Sequence, residues 1–144
     1  MRLRYHVFLY AISIFIIGCA VNLNDAINSN DAIYLNYAIQ EGRLFDVKNI
    51  INKDRTKVNE KDKWGYTLLH DAVLQGQFKI VEYLLQQGAD VNTSNLEKST
   101  PLHDSANKGR IGLVRFLLEK GADANVKDIN DNTPLHEAIE GYGV

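Results

Sequence analysis

The sequence has little of several features that define common protein classes. Its 144 residues include one cysteine, Cys19, and two prolines, Pro101 and Pro134. A single cysteine cannot form an intramolecular disulfide, so a small disulfide-stabilised domain is excluded. The chain also lacks an excess of positive charge, because 16 basic and 18 acidic residues give a net charge of −2. A nucleic-acid interface and a polybasic lipid-binding segment both need such an excess, so neither is expected.

The N-terminal stretch has the pattern of an export signal. Arg2 and Arg4 precede eleven uncharged residues, Val7–Ile17. A signal-peptide core has ~7–15 apolar residues, whereas a helix that crosses a membrane needs ~20. We therefore expect a signal peptide over residues 1–18. An uncleaved anchor over Tyr5–Val21 stays open as the alternative.

The end of this stretch, Ile16-Ile17-Gly18-Cys19, resembles a bacterial lipobox. That resemblance implies that the Cys19 thiol carries diacylglycerol, that the peptide is cut just before it, and that the protein faces the periplasm. Ala20 in the next position then points to the outer membrane. Cleavage after Ala20, as in a secreted periplasmic protein, is the competing interpretation. Residues 19–30 are rich in Asn and are expected to form a tether.

The strongest pattern in the chain is a repeat of 33 residues. His70, His103 and His136 show this spacing, as do other matched sets: Thr67, Thr100 and Thr133; Leu69, Leu102 and Leu135; Gly88 and Gly121. A period of this length is typical of a solenoid. One repeat cannot bury its apolar face alone, so neighbouring repeats must stack.

The repeated residues resemble the ankyrin repeat. Thr100–His103 and Thr133–His136 read Thr-Pro-Leu-His, and Gly88–Asn92 reads Gly-Ala-Asp-Val-Asn. The resemblance covers about residues 31–144 and implies an all-α repeat solenoid of stacked helix-turn-helix repeats with short β-turn tips. The repeats fall at about 31–61, which is degenerate and carries one extra residue before Val58, then at 62–94, 95–127 and 128–144, which is partial.

Local chemistry supports this assignment independently. Each repeated Thr can cap a helix N-terminus, and Pro suits the first helical position because its missing N–H has no partner there. Inner helices are expected at about Leu68–Gln75 and Pro101–Lys108. Gly88 and Gly121 are expected to end the second helices in the left-handed conformation.

The turn that precedes each inner helix is predicted to contain one residue with positive φ. Gly65 occupies that position in the turn Asp62–Gly65, and Lys98 and Asp131 hold the equivalent positions. Glycine adopts positive φ freely and Asp tolerates it, but Lys is disfavoured there.

Three histidines, each followed by an acid, raise the question of a metal site. Equivalent positions in stacked repeats lie about 8–10 Å apart, whereas zinc needs each nitrogen ligand at ~2.0–2.1 Å. The ankyrin resemblance implies instead that His70, His103 and His136 bond to backbone near the turns. The sequence has no nucleophile elbow, P-loop, paired-cysteine motif or His-Glu-x-x-His. Neither an enzyme, a metal nor a cofactor is expected.

Candidate binding residues come from the resemblance, because ankyrin families contact partners through the turn tips and the exposed face of the inner helices. Carried onto this sequence, those positions are Lys63, Trp64, Tyr66, Asp71, Leu74, Gln75, Leu96, Glu97, Asp104, Asn107, Lys108, Ile129 and Asn130. Several of them are apolar or aromatic, as binding hot spots are. Packing of Trp64 on a neighbouring turn is the competing interpretation.

We therefore expect a monomeric, membrane-tethered module that binds another protein in a bacterial envelope. An inhibitor or immunity protein that blocks one enzyme or toxin is the alternative function, and a structural part of an envelope complex is a third. The sequence does not identify the partner.

Overall fold

A computed structural model of the chain describes residues 23–141. The N-terminal segment with Cys19 lies outside the described residues, so the expected signal peptide and lipidation site are not among them. The helices are α1 (Leu23–Gln40), α2 (Leu44–Lys53), a 3₁₀ helix (Arg55–Asn59), α3 (Leu68–Gln75), α4 (Phe78–Gln86), α5 (Pro101–Asn107), α6 (Ile111–Glu119) and α7 (Pro134–Gly141). No strand occurs in this part of the chain. The predicted all-α repeat solenoid is confirmed.

The repeats lie in one compact unit that begins at Ile33. Among the helices of residues 23–141, none is both long enough and apolar enough to cross a membrane.

The inner helices begin and end where the repeated residues predict. Thr67 and Thr100 are the N-cap residues of α3 and α5, and Pro101 opens α5 at a position that needs no N–H. Gly76 follows α3 with φ of 72°, and its N–H still bonds back to the helix carbonyls. Gly88 and Gly121 have φ of 93° and 90° after α4 and α6, which confirms the predicted left-handed ends.

Burial in the stack follows the repeat. Leu69 is fully buried and Leu102 is 2% exposed, and both lie on inner helices. The second helices contribute Val81, Leu84 and Leu117, which are fully buried. Each such side chain contributes ~1.5–3 kcal/mol when it is removed from water. Interlocked side chains from successive helix pairs, rather than any single repeat, therefore hold the fold together.

The degenerate first repeat is also a helix pair. Leu35 on α1 and Val47 on α2 are buried in the same core. The extra residue before Val58 is taken up by the 3₁₀ helix, whose first turn is capped by the Asp54 carboxylate accepting the Thr56 N–H at 3.0 Å. Helix α1 begins at Leu23, within the segment expected to be a tether. Leu23–Gln40 contains neither Gly nor Pro, so nothing in its sequence stops the helix at residue 31.

The turns have the predicted backbone conformation. Gly65, Lys98 and Asp131 have φ of 83°, 58° and 63°. A Cβ on Gly65 would lie 2.9 Å from the backbone nitrogen of Leu96, so Gly65 also has little room for a side chain. Lys98 therefore adopts a conformation that costs roughly 1–2 kcal/mol for an L-residue.

Candidate protein-binding surface

Each turn is built around one side chain that accepts two backbone hydrogen bonds. The Asp62 carboxylate accepts the N–H groups of Trp64 and Tyr66 at 2.9 and 2.8 Å. Asn95 in the next repeat and Asp128 in the last accept the equivalent pairs at 2.8–3.0 Å. Such side-chain-to-backbone bonds fix a turn without any core around it. The tips are therefore held in one conformation although they lie at the surface.

Backbone hydrogen bonds also join successive turns. The Leu96 N–H donates to the Trp64 carbonyl at 3.0 Å, and the Ile129 N–H donates to the Glu97 carbonyl at 2.8 Å. The three turns, residues 62–66, 95–99 and 128–132, thus form one row, here called the turn ridge. The exposed side chains of the three turns therefore extend from one hydrogen-bonded stretch of backbone.

The buried histidines fasten the turn ridge to the helices. Nδ1 of His70 accepts the Thr67 N–H at 3.2 Å, and Nε2 lies 3.3 Å from the Ser99 carbonyl. His103 makes the same contacts with Thr100 and Asn132 at 3.2 Å each. Burial lowers the pKa of His70 to about 4, so its ring is neutral at pH 7 and Nε2–H donates to the next turn. The predicted backbone role of these histidines is confirmed for His70 and His103.

Since both ring nitrogens of His70 and His103 already have backbone partners, they have no free position for a metal. Residues 23–141 contain no group of three or more His, Cys, Asp or Glu side chains that could hold a metal ion.

Large apolar side chains on the turn ridge face water. Trp64, Leu96 and Ile129 are 58%, 70% and 62% exposed. The Lys63 ammonium lies 4.0 Å from the centre of the Trp64 ring, in a cation–π contact. Tyr66 is half-buried against His70, with ring centroids 5.3 Å apart. Glu97 and Asn130 are exposed polar residues between these side chains.

The predicted positions on the inner helices differ in exposure. Gln75 and Lys108 are exposed, and Leu74 is half-buried. Asp71 is half-buried, and burial followed by the charge of Asp62 raises its pKa to about 6. Asn107 is half-buried and donates to the Glu137 carboxylate at 2.8 Å. Apart from Leu74, this face therefore carries polar and charged side chains of both signs, whereas the turn ridge exposes large apolar ones.

Asp104 was expected to be exposed on its inner helix, but it is buried. It is only 9% exposed, because it lies beneath the turn of its own repeat and accepts the Ser99 hydroxyl at 3.3 Å. Its other carboxylate oxygen is buried without a hydrogen-bond partner. Burial, with the charges of Asp71 and Glu137, raises its pKa to about 7. A partner has no direct access to this carboxylate.

A second set of residues that join the repeats was missed from the sequence. The Asn59 amide donates to the Gly88 carbonyl and accepts the Asp90 N–H, both at 2.9 Å. Asn92 makes the same bonds to Gly121 and Asp123 at 3.1 and 2.8 Å. The signal was available, because Asn59, Asn92 and Asn125 follow the 33-residue period. The turn-capping set Asp62, Asn95 and Asp128 follows it as well.

Comparison with known proteins agrees with the geometry. Residues 6–95 match the family described as ankyrin repeats (3 copies), and residues 84–138 match ankyrin repeats (many copies). Among curated relatives, the Schizosaccharomyces pombe palmitoyltransferase akr1 is 46% identical over 55 residues, which are 38% of this chain and 9% of that protein. Human ankyrin repeat domain-containing protein 49 is 40% identical over 58 residues, or 40% of this chain and 24% of that protein. The alignments thus span at most about a quarter of these relatives, over a stretch no longer than two repeats.

Proposed function

Because the chain belongs to the ankyrin-repeat family, we propose that it is a protein-binding module whose turn ridge, with Trp64, Leu96 and Ile129, contacts the partner. Ankyrin repeats are generally binding modules without catalytic activity. The observation that carries the proposal is the exposure of three large apolar side chains, 58–70%, at the tips of three successive turns. Large exposed apolar and aromatic side chains grouped on one side of a molecule are typical of a protein interface.

The rigidity of the tips supports this proposal. A partner that binds mobile loops must also order them, which lowers its affinity. Here Asp62, Asn95 and Asp128 already fix the three turns, and backbone bonds hold the turns side by side. The apolar side chains are thus presented on a preorganised frame. Trp64 and Tyr66 supply the aromatic area, and the inner-helix positions Asp71 and Gln75 supply a polar border.

The site of action is also a proposal, and it rests on the N-terminal sequence. Arg2 and Arg4, the apolar Val7–Ile17 stretch and the lone Cys19 fit a lipoprotein signal. The module would then be anchored by acyl chains in a bacterial envelope and face the periplasm. Metabolic labelling with palmitate tests this directly. Label should enter the wild-type protein and should be absent from Cys19→Ser; an unlabelled wild-type protein would contradict the anchor.

Site-specific photocrosslinking tests the binding surface. A photoreactive amino acid at position 96, on the turn ridge, is compared with one at position 79, where Lys79 is exposed on α4. Crosslinks to a protein partner in the native envelope should form from position 96 and not from position 79, and Trp64→Ala should reduce them. Equal crosslinking from both positions would contradict a partner surface on the turn ridge.

The stoichiometry of the captured complex distinguishes a scaffold from the alternative function, an inhibitor or immunity protein. One partner held tightly in a one-to-one complex would indicate an inhibitor or immunity protein. Several partners held more weakly would indicate a scaffold.

A further inference from the structure

A buried carboxyl group lies beneath the middle turn of the turn ridge. Asp104 on α5 is 9% exposed, and one of its carboxyl oxygens accepts the Ser99 hydroxyl at 3.3 Å. The other oxygen is buried and has no hydrogen-bond partner. The ion pairs formed within residues 23–141 do not include Asp104. An ionised carboxylate that is buried without a cation or a second donor is strongly disfavoured, so the closed turn favours the protonated group.

The charged groups around Asp104 add to this preference. Asp71 on α3 and Glu137 on α7 both disfavour a negative charge at Asp104, and the exposed Lys108, just after α5, favours it more weakly. Burial first, and then the two carboxylates, raise the pKa of Asp104 to about 7. In the preceding turn, burial and then the charge of Asp104 raise the pKa of Tyr66. Asp104 therefore changes its charge near neutral pH, in surroundings that disfavour the charged form.

The equivalent carboxyl groups of the neighbouring repeats lie in different surroundings. Asp71 is half-buried, so its carboxylate is in contact with water. Glu137 accepts the side-chain amides of Asn107 and Asn132 at 2.8 and 3.4 Å. A negative charge is thus solvated or hydrogen-bonded in those two repeats. The repeat of Asp104 instead combines a buried carboxyl group with a direct hydrogen bond to the turn above it.

The turn above Asp104 also has the most strained backbone of the three. Its residue with positive φ is Lys98, at 58°, where the other two turns have Gly65 and Asp131. Glycine adopts this conformation freely and Asp tolerates it, whereas Lys is disfavoured there. Opening of this turn would relieve the strain at Lys98, release the Ser99 hydroxyl and let water reach Asp104. The middle turn is therefore the one that opens most easily, and it is the one that covers the buried carboxyl group.

We propose that Asp104 is a proton-operated switch beneath the middle turn of the turn ridge, residues 95–99. With its proton bound, the carboxyl group is neutral and the turn closes over it. When the proton passes to solvent, the buried charge favours an open turn, which admits water to Asp104 and moves Leu96 out of its row.

The direction of the pH dependence follows from proton linkage. The closed turn binds the proton with a pKa of about 7, and a solvated carboxyl group has the ordinary value of 3.8. The equilibrium constant for opening therefore rises with pH, by up to about tenfold per pH unit between pH 4 and pH 7, and levels off above pH 7. The consequence for binding rests on the proposed function, since a partner that contacts Leu96 would bind more weakly as the pH rises.

Hydrogen exchange of the full chain in detergent micelles, followed by NMR, tests the switch without any partner. The N–H groups of Leu96 and Ser99 are hydrogen-bonded in the closed turn. After correction for the intrinsic pH dependence of exchange, their opening constants should rise about tenfold or more from pH 5 to pH 7. Asp104→Asn should abolish this rise. Glu119→Gln, which alters an exposed carboxylate, is the matched control and should retain it. In the wild-type protein, the NMR shift of the Asp104 carboxyl carbon should titrate with a midpoint of about 7.

Three results would overturn the inference. One is an opening constant of the middle turn that stays the same from pH 5 to pH 7, or that rises equally in Asp104→Asn. The second is an equal rise at the N–H of Leu84, in the core of α4, which would show that the proton acts on global unfolding and not on the turn. The third is a titration midpoint below pH 5 for the Asp104 carboxyl carbon, which needs no variant. A partner that binds away from the turn ridge would refute the proposed function and leave all these results unchanged.

Discussion

Trp64 and Leu69 are five residues apart in the same repeat, and both are large and apolar, yet one faces water and the other does not. Trp64 is 58% exposed at a turn tip, whereas Leu69 is fully buried on α3. The turn is held by Asp62 and by backbone bonds to the next turn, so its conformation does not depend on the indole. The helix, in contrast, is held by the side chains that it buries. In this molecule the apolar residues of the helices stabilise the stack, whereas those at the turn tips lie in solvent, where we propose that they contact a partner.

The largest effect on stability is expected from Leu69→Ala. Leu69 is fully buried, so truncation removes its contacts and leaves a cavity, at a cost of about 2–5 kcal/mol. Chemical denaturation measures the change. Leu135→Ala is the matched control in the last repeat, because Leu135 is equivalent in sequence but 71% exposed, and it should cost no more than ~0.5 kcal/mol. Equal losses would mean that the end of the stack is covered in solution.

The next largest change in stability is expected from Asp104→Asn, and it depends on pH. The folded-state pKa of Asp104 is raised to about 7, above the ordinary 3.8, so the folded state binds the proton more tightly than the unfolded state does. The wild-type protein therefore loses stability through this group as pH rises from about 4 to 7. Asparagine removes that loss, so the variant should gain about 1–3 kcal/mol over wild type at pH 8 and little at pH 4.

Denaturation midpoints across this pH range provide the test. Glu119→Gln, which alters an exposed carboxylate at the end of α6, is the control and should change stability by no more than ~0.5 kcal/mol at any pH. A gain from Asp104→Asn that stays constant from pH 4 to pH 8 would contradict a carboxyl that titrates in the core.

Two substitutions in the turns should change stability by smaller amounts and in opposite directions. Lys98→Gly should leave stability unchanged or raise it by up to ~1 kcal/mol, because glycine adopts φ near 58° without strain. Gly65→Ala should lower stability by about 1–2 kcal/mol, since its Cβ would lie 2.9 Å from the Leu96 nitrogen at positive φ. Thermal melting of both variants checks the pair. A clear loss from Lys98→Gly would show that the Lys98 side chain supports its turn.

The parts of the fold that the sequence predicted are those that the repeat itself marks. The helices of the interior repeats, the positive φ at Lys98 and Asp131, and the backbone role of His70 follow from residues that recur every 33 positions. The burial of Asp104 could not be predicted in this way. It depends on where the Ser99 turn lies over α5, and a pattern of residue types does not specify how one segment covers another.

The candidate site was predicted less completely than the fold. Trp64, Leu96 and Ile129 were placed at turn tips by their position in the repeat, and they are exposed there, while their role in binding stays a prediction. What holds them in place was missed, because the recurrence of Asp62, Asn95 and Asp128 every 33 residues marks the position but does not show which backbone N–H groups these side chains accept. A residue's exposure can be inferred from its place in a repeat, but its hydrogen-bond partners depend on the folded backbone.

The paired measurement of stability and binding on Trp64→Ala tests the central claim most directly. The indole is 58% exposed and lies on a turn fixed by other groups, so truncation should change the unfolding free energy by no more than ~0.5 kcal/mol. A titration with the partner that crosslinks to position 96 should show binding weakened by about 2 kcal/mol or more, roughly thirtyfold. Gln75→Ala, on the neighbouring inner helix, should weaken binding less. A variant that loses several kcal/mol of stability while its folded fraction binds normally would show that Trp64 supports the fold and that the partner binds elsewhere.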